Sequence, residues 1–448
     1  MHVALLLEMA AEGLGERVAL GSRDGGVSFA ALLQQARGAA SWLARTPAQN
    51  VAYVGLNSAT FPVALFAAAL AGKPFAPLNY RLPDEQLLRI VARTAPSVLV
   101  VDDELAARFA TPVAGVQVIA RSAFMQLAAA DAGTWEPPPP DPEAIAVLLF
   151  TSGTTGEPKA AVLRNRHLTS YVITTVEFMG AGEDEAALVS VPPYHIAAVS
   201  AVLTSTYLGR RVVHLEQFSP EGWVALARAQ QVTHAMMVPT MLGRVLDVLE
   251  RDHGTLPSLR HLSYGGGRMP QATIERALQV LPQVDFVNAY GLTETSSTIA
   301  VLTPEDHREA IASSDPQVRH RLGSVGRPLP ALELEIRDPD GRRVGPQVEG
   351  EIWVRGEQVS GEYLGRRAIR EDGWFPTSDC GWLDAGGFLF VGGRLDDVIV
   401  RGGENISPGE IEDVIRGLPQ IEDVAVVGLP DNEWGERVVA VVVTRAPL

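Results

Sequence analysis

The spacing of apolar and polar positions changes several times along this chain, and each change predicts a different kind of element. In the first third, short runs rich in β-branched residues alternate with Ala- and Leu-rich stretches of helical spacing. The strand-like runs are NVAYVGL, SVLVVDD and VQVIA, and the helix-like stretches are MHVALLLEMAAEG, FPVALFAAALAG and DEQLLRIVART. This alternation predicts βαβ units and a largely parallel sheet.

A proline-rich connector, TWEPPPPDPEA, leads into a second region with the same alternation. Its apolar runs are AIAVLLF, RRVVHLE, THAMMVP, RHLSYGGG and DFVNAYG, and they lead into glycine, proline or polar turns. Ligands of open α/β sheets bind beyond the carboxyl ends of the strands, so these turns are where we expect a site. A third pattern, short strands punctuated by glycine (LELEIRD, GEIWVRG, GFLFVGG), predicts a small β-rich subdomain.

The patterns together predict an α/β protein of several units, as a length of 448 residues also favours. We expect a large N-terminal domain over residues 1–394, made of two stacked βαβ subdomains (1–143 and 144–322) and a β-rich subdomain (323–394). A small α+β C-terminal domain follows over residues 395–448. Its two apolar strands and one helix are too little to close a core, so we expect it to be incomplete.

The composition narrows the choice of partners and compartment. With 37 basic and 53 acidic residues the formal net charge is −16, which gives no general attraction to nucleic acid or anionic lipid. Cys380 is the only cysteine, which excludes an internal disulfide and fits a reducing compartment. The N-terminus has no cationic leader, and no apolar run reaches membrane-spanning length. We expect a cytoplasmic protein without nucleic-acid or membrane partners; its oligomeric state stays open.

The stretch FTSGTTGEPK, residues 150–159, combines hydroxyls, glycines and one cation directly after a buried strand. A Walker A loop is disfavoured because Pro158 replaces a glycine whose N–H must approach phosphate, and Ala160 replaces the magnesium-binding hydroxyl. A Ser/Thr/Gly loop with one lysine is nevertheless suited to a triphosphate, through hydroxyl and backbone donors. The alternative, a flexible surface turn, is disfavoured by the crowding of donors after the strand.

Two later stretches place charged residues at glycine-rich turns. In VNAYGLTETSS, Tyr290 could stack on a base, Thr293 could donate to a phosphate, and Glu294 could bind the Mg²⁺ that accompanies a nucleotide. A capped helix start has the same letters. In GWFPTSDCGWLDAGGFLFVGGRLDD, Asp379 is a candidate partner for a ribose diol, and Arg394 could bridge ribose or phosphate oxygens. Each of the two, taken alone, is more often an ordinary turn or surface residue.

In this order, the stretches resemble the core motifs of the adenylate-forming superfamily, which includes acyl-CoA synthetases, firefly luciferase and peptide-synthetase adenylation domains. FTSGTTGEPK resembles the phosphate loop, VPPYHIAAVS the aromatic/histidine segment, and YGGG with AYGLTET the adenine and magnesium segments. GEIWVRGEQVSGEYLG, DGWFPTSDCGWLD and GRLDDVIVRGGENISPGEIE resemble the later motifs. The resemblance covers essentially the whole chain, and its specificity lies in the order and spacing of these motifs.

The resemblance implies ATP and Mg²⁺ as cofactors, CoA as co-substrate, and a role for residues in each motif. It implies that Glu294 binds the metal and that Asp396 is the hinge about which the C-terminal domain rotates. The implied catalytic residues are Thr151, Lys159, His195, Thr293, Glu294 and Arg394. The implied nucleotide-binding residues are Thr151, Ser152, Gly153, Thr154, Thr155, Gly156, Lys159, Gly265, Gly266, Gly267, Asn288, Ala289, Tyr290, Gly291, Thr293, Asp379 and Arg394. The implied acid pocket is lined by His195, Val238, Gly265, Gly266 and Gly291.

The implied reaction is attack of a small-molecule carboxylate on the α-phosphorus of ATP, release of pyrophosphate, and transfer of the acyl group from AMP to CoA. Two anions meet in the first step, so donors and a metal, rather than a general base, must stabilise the transition state. GGENISPGEIE resembles the segment that CoA ligases use for thioester formation, which favours CoA. Two alternatives stay open: an enzyme that passes acyl-AMP to a carrier protein or partner enzyme, and a non-catalytic binding homologue.

Several positions depart from the superfamily pattern. Ala160 and Ser378 replace usual glycines, and Glu357 and Glu362 alter the GEIWVRG segment. The superfamily also has a C-terminal lysine that contacts ATP and the carboxylate, whereas no lysine follows Lys159 in this sequence. We therefore expect either a truncated sequence or catalysis without that lysine, and impaired adenylation by the chain as it stands. The motifs leave the acid open, aliphatic or aryl.

Overall fold

A computed structural model describes residues 1–151, 158–397, 399–401, 404–406, 408–418, 420–431 and 434–445. The chain forms two compact units. The first unit comprises Met1–Arg268, Thr273–Ile299 and Gly356–Ile369. The second unit comprises Met269–Ala272, Ala300–Arg355 and Arg370–Leu448.

The helices and strands alternate through the first two thirds of the chain, and strands predominate afterwards. The helices are α1 Val3–Leu14, α2 Phe29–Ala44, α3 Thr60–Leu70, α4 Asp84–Arg93, α5 Arg121–Ala128, α6 Asn165–Thr175, α7 Ile196–Leu208, α8 Pro220–Ala229, α9 Pro239–Arg251, α10 Gln271–Val280, α11 Pro304–Ala312, α12 Pro316–His320 and α13 Pro408–Arg416. The strands up to residue 302 are β1 Val18–Leu20, β2 Val27–Ser28, β3 Asn50–Val54, β4 Phe75–Pro77, β5 Ser97–Val101, β6 Val116–Ala120, β7 Ile145–Thr151, β8 Lys159–Arg164, β9 Ala186–Val189, β10 Arg211–His214, β11 His234–Met237, β12 His261–Gly265, β13 Asp285–Leu292 and β14 Ser297–Leu302. The later strands are β15 Arg327–Pro328, β16 Glu333–Arg337, β17 Gly350–Arg355, β18 Glu362–Tyr363, β19 Arg366–Arg367, β20 Phe375–Leu383, β21 Leu389–Arg394, β22 Ile399–Arg401, β23 Glu404–Ile406, β24 Ile421–Asp431 and β25 Gly435–Thr444.

One sheet of the first unit has the strand order β19-β18-β8-β7-β4-β3-β5-β6. Strands β3 to β7 pair in parallel wherever they are neighbours, as the alternating pattern predicts. β7 and β8, in contrast, form an antiparallel pair, because the segment between them is too short for the crossover that parallel neighbours need. The phosphate-loop segment therefore connects the two strands of a hairpin, and no helix follows it directly.

The strands that this unit contributes to the second sheet have the order β14-β13-β12-β11-β9-β10-β1-β2. Its central strands, β9 to β13, are parallel. A single core cluster contains residues of α1, α2 and α3 together with valines of both sheets, such as Val98 and Val212. Every residue of α3 is buried, which is why its sequence is apolar on all sides instead of on one face.

The second unit is built on two antiparallel four-stranded sheets, β16-β17-β20-β21 and β23-β22-β25-β24. The first of these corresponds to the predicted β-rich region. In the second, Ile399, Val424 and Val426 form a small core against which α13 packs Ile411 and Ile415. The hairpin of β22 and β23 was not predicted, because strands of three residues are too short to show a period.

The predicted α/β fold class is confirmed, and the boundaries at residues 143, 322 and 394 stay predictions. Within the described residues, none of the helices is both long and apolar enough to cross a membrane.

Candidate active site

The phosphate-loop hairpin holds two of the predicted residues opposite each other. Thr151 ends β7 and Lys159 begins β8, and the two form a cross-strand pair. The Thr151 hydroxyl donates to the Lys159 carbonyl oxygen at 3.4 Å. The predicted residues between them, Ser152, Gly153, Thr154, Thr155 and Gly156, lie outside the described residues.

The carboxyl ends of three parallel strands bring together most of the predicted pocket residues. Gly265 at the end of β12 pairs with Ala289 of β13, and a Cβ at Gly265 would lie 2.1 Å from the Ala289 carbonyl oxygen. Gly266 has a φ of +72°, and a Cβ there would lie 3.6 Å from Cγ1 of Val238, which follows β11. Glycine at these two positions therefore allows close strand contact and a left-handed turn. Gly267 follows and is exposed.

The end of β13 turns sharply into the segment that carries Glu294. Thr293–Thr295 form one 3-10 turn, and a Cβ at Gly291 would lie only 1.8 Å from the Ser297 carbonyl oxygen, so this position requires glycine. The Glu294 side chain is buried, and its Oε1 accepts a hydrogen bond from the Tyr363 hydroxyl at 2.7 Å. The turn packs against β8, the strand that begins with Lys159. On β13 itself, Asn288 is buried and Tyr290 is half-buried.

His195 lies at the N-terminus of α7, in the connection that leaves the carboxyl end of β9. Its ring is 4.6 Å from the ring of Tyr194, which contacts Tyr80 in turn at 5.6 Å. Although the side chain is exposed, desolvation by the surrounding protein and the positive charge of Arg81 lower its pKa below the ordinary value of 6.5. The imidazole is therefore neutral near pH 7, which fits a pocket-lining role better than a cationic one.

The remaining predicted residues belong to the second unit. Asp379 of β20 is buried and faces Arg394 of β21, with 3.4 Å between its Oδ1 and the arginine Nε. Ser378 has a φ of +63°, in the left-handed region that glycine favours, which gives a backbone reason for the glycine usual at this position. Asp396 lies in the 3-10 turn Leu395–Asp397, which follows β21.

The donor set of the first unit can be tested against a magnesium ion. Protein sites for Mg²⁺ usually supply one or two carboxylates, and the phosphates of the substrate supply further oxygens. The described residues contain no group of three or more His, Cys, Asp or Glu side chains placed to hold a metal. Glu294 offers one carboxylate whose Oε2 accepts no hydrogen bond from the described residues. This set fits a Mg²⁺ ion that arrives with a nucleotide.

Sequence analysis missed the residues that support the Glu294 turn. Tyr363 donates to Glu294, and Arg164 forms two hydrogen bonds with the carboxylate of Glu362, at 2.7 and 2.9 Å. Glu357, the other unusual glutamate, pairs with Arg166 at 3.2 Å. The signal that could have found them is the position of both glutamates and the tyrosine in one motif, GEIWVRGEQVSGEYLG.

Comparison with known proteins identifies the family of this chain. The chain matches the AMP-binding enzyme family over residues 7–364 and the AMP-binding enzyme C-terminal domain over residues 410–447. It is 34% identical over 404 residues to a feruloyl-CoA synthase of an Amycolatopsis species, covering 89% of this chain and 79% of that protein. It is 31% identical over 414 residues to a fatty acid–[acyl-carrier-protein] ligase of Streptomyces coeruleorubidus, covering 89% and 77%.

A solved structure, the o-succinylbenzoate CoA synthetase of Bacillus subtilis in complex with its acyl-adenylate intermediate, has 30% sequence identity and a TM-score of 0.85. The match covers 99% of this chain and 89% of that one. The same enzyme in complex with ATP and a magnesium ion also gives a TM-score of 0.85, at 29% identity, covering 99% and 90%.

The fold and these matches define an α/β enzyme that activates acids with a nucleotide. The chain belongs to the AMP-binding enzyme family. The predicted superfamily and the predicted class, an AMP-forming acid–thiol ligase, are confirmed. The roles assigned to single residues stay predictions.

Proposed function

We propose that this chain uses ATP and Mg²⁺ to convert a carboxylic acid to an acyl-adenylate with release of pyrophosphate, and then transfers the acyl group to CoA. One observation carries the proposal: the buried carboxylate of Glu294 lies in a turn against the strand that begins with Lys159, next to strand ends that meet only because they carry glycine. The reaction needs three features in one place: a metal ligand, a phosphate-binding cation and space at the carboxyl ends of the strands.

Each group has a role in the first step, in which a carboxylate oxygen of the acid bonds to the α-phosphorus and the bond to pyrophosphate breaks. Lys159 and Thr151 bind the phosphates that leave, Thr293 donates to the α-phosphate, and Glu294 holds the metal. A bound Mg²⁺ would reduce the electrostatic repulsion between the carboxylate and the phosphates as they approach each other. In the second unit, Asp379 binds the ribose hydroxyls, supported by its ion pair with Arg394.

For the substrate, we propose an acid that carries an aromatic ring. Relatives include proteins named for ferulate, indoleacetate and 2-succinylbenzoate. In this chain, the exposed Gly266 and Gly267 leave space at the end of β12, and the neutral imidazole of His195 lies in an aromatic group with Tyr194. Open space beside aromatic side chains favours an acid with a ring over a short polar acid.

The acceptor can be tested by product analysis with and without CoA. The chain is incubated with ATP, Mg²⁺ and an aryl acid, and acyl-AMP, acyl-CoA and AMP are measured by mass spectrometry. We expect acyl-CoA and stoichiometric AMP when CoA is present, and acyl-AMP alone when it is absent. The Glu294→Gln variant is the control and should form neither product at a comparable rate.

A second acceptor, an acyl carrier protein, is favoured by the relative that ligates a fatty acid to such a carrier. Acyl-AMP that persists in the presence of CoA and disappears on addition of carrier protein would replace CoA by the carrier in the proposal.

We place the reaction in the cytoplasm, because the single cysteine, Cys380, is a buried free thiol, as in proteins of reducing compartments.

A further inference from the structure

We propose that Tyr363 is a positioning residue for Glu294: its hydroxyl holds one carboxylate oxygen so that the other is presented to the metal. This inference rests on the proposed function, because it takes Glu294 as the residue that binds Mg²⁺. It assigns the short segment Gln358–Tyr363 a task in metal binding.

The turn around Glu294 is strained, so it needs support from outside. Ser296 and Ser297 both have positive φ values, +58° and +116°. Such backbone conformations cost free energy in residues other than glycine and persist only where the surroundings impose them. The position of the Glu294 carboxylate therefore depends on the contacts that hold this turn.

Those contacts come from the segment that ends at Tyr363. The backbone N–H groups of Ser360 and Gly361 donate to the Glu294 carbonyl oxygen at 2.8 and 3.3 Å. The buried Gln358 side chain donates to the carbonyl oxygens of Thr295 and Thr298 at 3.0 and 2.8 Å. The backbone carbonyl oxygen of Gln358 accepts from the Ser296 hydroxyl at 2.9 Å. Both ends of the turn are thus fixed by one six-residue stretch.

The segment is itself fastened to β8. Arg164 binds Glu362 through two hydrogen bonds, the Ser360 hydroxyl donates to the Val162 carbonyl oxygen, and Tyr363 pairs with Ala161. β8 is the strand that begins with Lys159, so the proposed cation and the proposed metal ligand share one support. The unusual Glu362 serves this attachment.

The hydroxyl of Tyr363 is the one side-chain donor in the described residues that reaches the Glu294 carboxylate. At 2.7 Å the bond has the usual length for a hydroxyl that donates to a carboxyl oxygen. With Oε1 occupied in this way, a rotation of the carboxylate group would break the bond, so Oε2 keeps one direction. Partners that orient metal ligands in this manner commonly change metal affinity about 10- to 100-fold when they are removed.

The test is the Tyr363→Phe variant of the full chain, with Tyr171→Phe as matched control. The Tyr171 hydroxyl lies 3.5 Å from that of Thr298 in β14, and within the described residues no hydrogen bond joins it to the Glu294 carboxylate. The readout is Mn²⁺ affinity in the presence of a non-hydrolysable ATP analogue, measured by electron paramagnetic resonance of free Mn²⁺. We expect Tyr363→Phe to weaken Mn²⁺ binding about tenfold or more and Tyr171→Phe to leave it within about twofold of wild type. Replacement of Tyr363 by 4-aminophenylalanine, which keeps the shape and a donor, should restore binding.

A double-mutant cycle with Glu294→Gln separates this inference from the proposed function. If Tyr363 acts through Glu294, adding Tyr363→Phe to Glu294→Gln changes Mn²⁺ affinity no further. Wild-type affinity in Tyr363→Phe, together with a loss in Glu294→Gln, would overturn the positioning role and leave the proposed function intact. An equal loss from Tyr363→Phe in both backgrounds would also overturn it. Wild-type affinity in Glu294→Gln would instead refute the metal role within the proposed function.

Discussion

The glycines at the end of β12 allow a test that separates folding from substrate selection, because two of them differ sharply in the space around them. A Cβ at Gly265 would lie 2.1 Å from the backbone oxygen of Ala289, whereas ordinary contact begins at 3.4 Å. In Gly265→Ala the paired strands must therefore separate by about 1 Å, and such overpacking typically costs about 1–3 kcal/mol. Apart from its chain neighbours, the described residues offer a Cβ at Gly267 one contact within 4 Å, Cδ of Pro239 at 3.8 Å, and the φ of Gly267 lies outside the left-handed region. Gly267→Ala should change the free energy of unfolding by no more than about 0.5 kcal/mol.

Acid selection, in contrast to stability, should change in the Gly267→Ala variant. If the end of β12 borders the acid, the methyl group of Gly267→Ala reduces kcat/KM for the bulkiest accepted acid about tenfold or more, and that for a short acid much less. The assays are urea unfolding and coupled pyrophosphate release with acids of graded size. The control is Gly243→Ala in α9, where the new Cβ meets no described atom within 4 Å outside its own stretch of helix, and neither activity nor selection should change. Wild-type stability in Gly265→Ala would refute the packing argument. Unchanged selection in Gly267→Ala would refute the assignment of the acid to the end of β12.

Three further predictions concern stability. Burial and nearby arginines lower the pKa of His167 from 6.5 to about 3. Between these values the unfolded chain binds more protons than the folded chain, so wild-type stability should fall as the pH decreases through this window. His167→Gln keeps an acceptor for the Arg164 N–H and should flatten this pH dependence in urea unfolding at pH 7 and pH 4.5. Glu362→Gln removes the charge and one acceptor oxygen from a largely buried two-bond pair with Arg164 and should lower the unfolding free energy by about 1.5–3 kcal/mol. Glu357→Gln, at a more exposed pair, should cost less than about 1 kcal/mol, and equal losses in urea unfolding would contradict this ranking. Ser378→Gly should raise the unfolding free energy by about 1 kcal/mol by relieving a left-handed φ, and a loss of stability would show that the serine side chain is needed there.

The elements that carry the site were largely predictable from sequence, because each has a strong local signal. DFVNAYG and RHLSYGGG are apolar runs that stop at glycine, and the structure has β13 and β12 there. Parallel pairing then places Gly265 beside Ala289 by register alone. Their closeness follows from the strand order of an α/β sheet, which the alternating pattern predicts.

The pairings that support the site were not predictable, because they join residues that are distant in sequence. Tyr363 and Glu294 are 69 residues apart, and Arg164 and Glu362 are 198 apart. Local periodicity has no information on such pairs, and a single sequence cannot show which arginine an unusual glutamate meets. The antiparallel pairing of β7 and β8 was missed for a related reason, since an apolar run does not specify the direction of its neighbour.

The central claim, that the chain activates a carboxylic acid at the α-phosphorus of ATP, is tested most directly by acid-dependent exchange of labelled pyrophosphate into ATP. Exchange reports formation of the acyl-adenylate and needs no acceptor thiol. The measurement uses this chain with Mg²⁺ and a panel of aryl and aliphatic acids, with Glu294→Gln as control. We predict exchange that requires both Mg²⁺ and an acid, is fastest with an aryl acid, and is largely lost in Glu294→Gln. ATP binding without exchange for any acid would contradict the claim and favour a binding role.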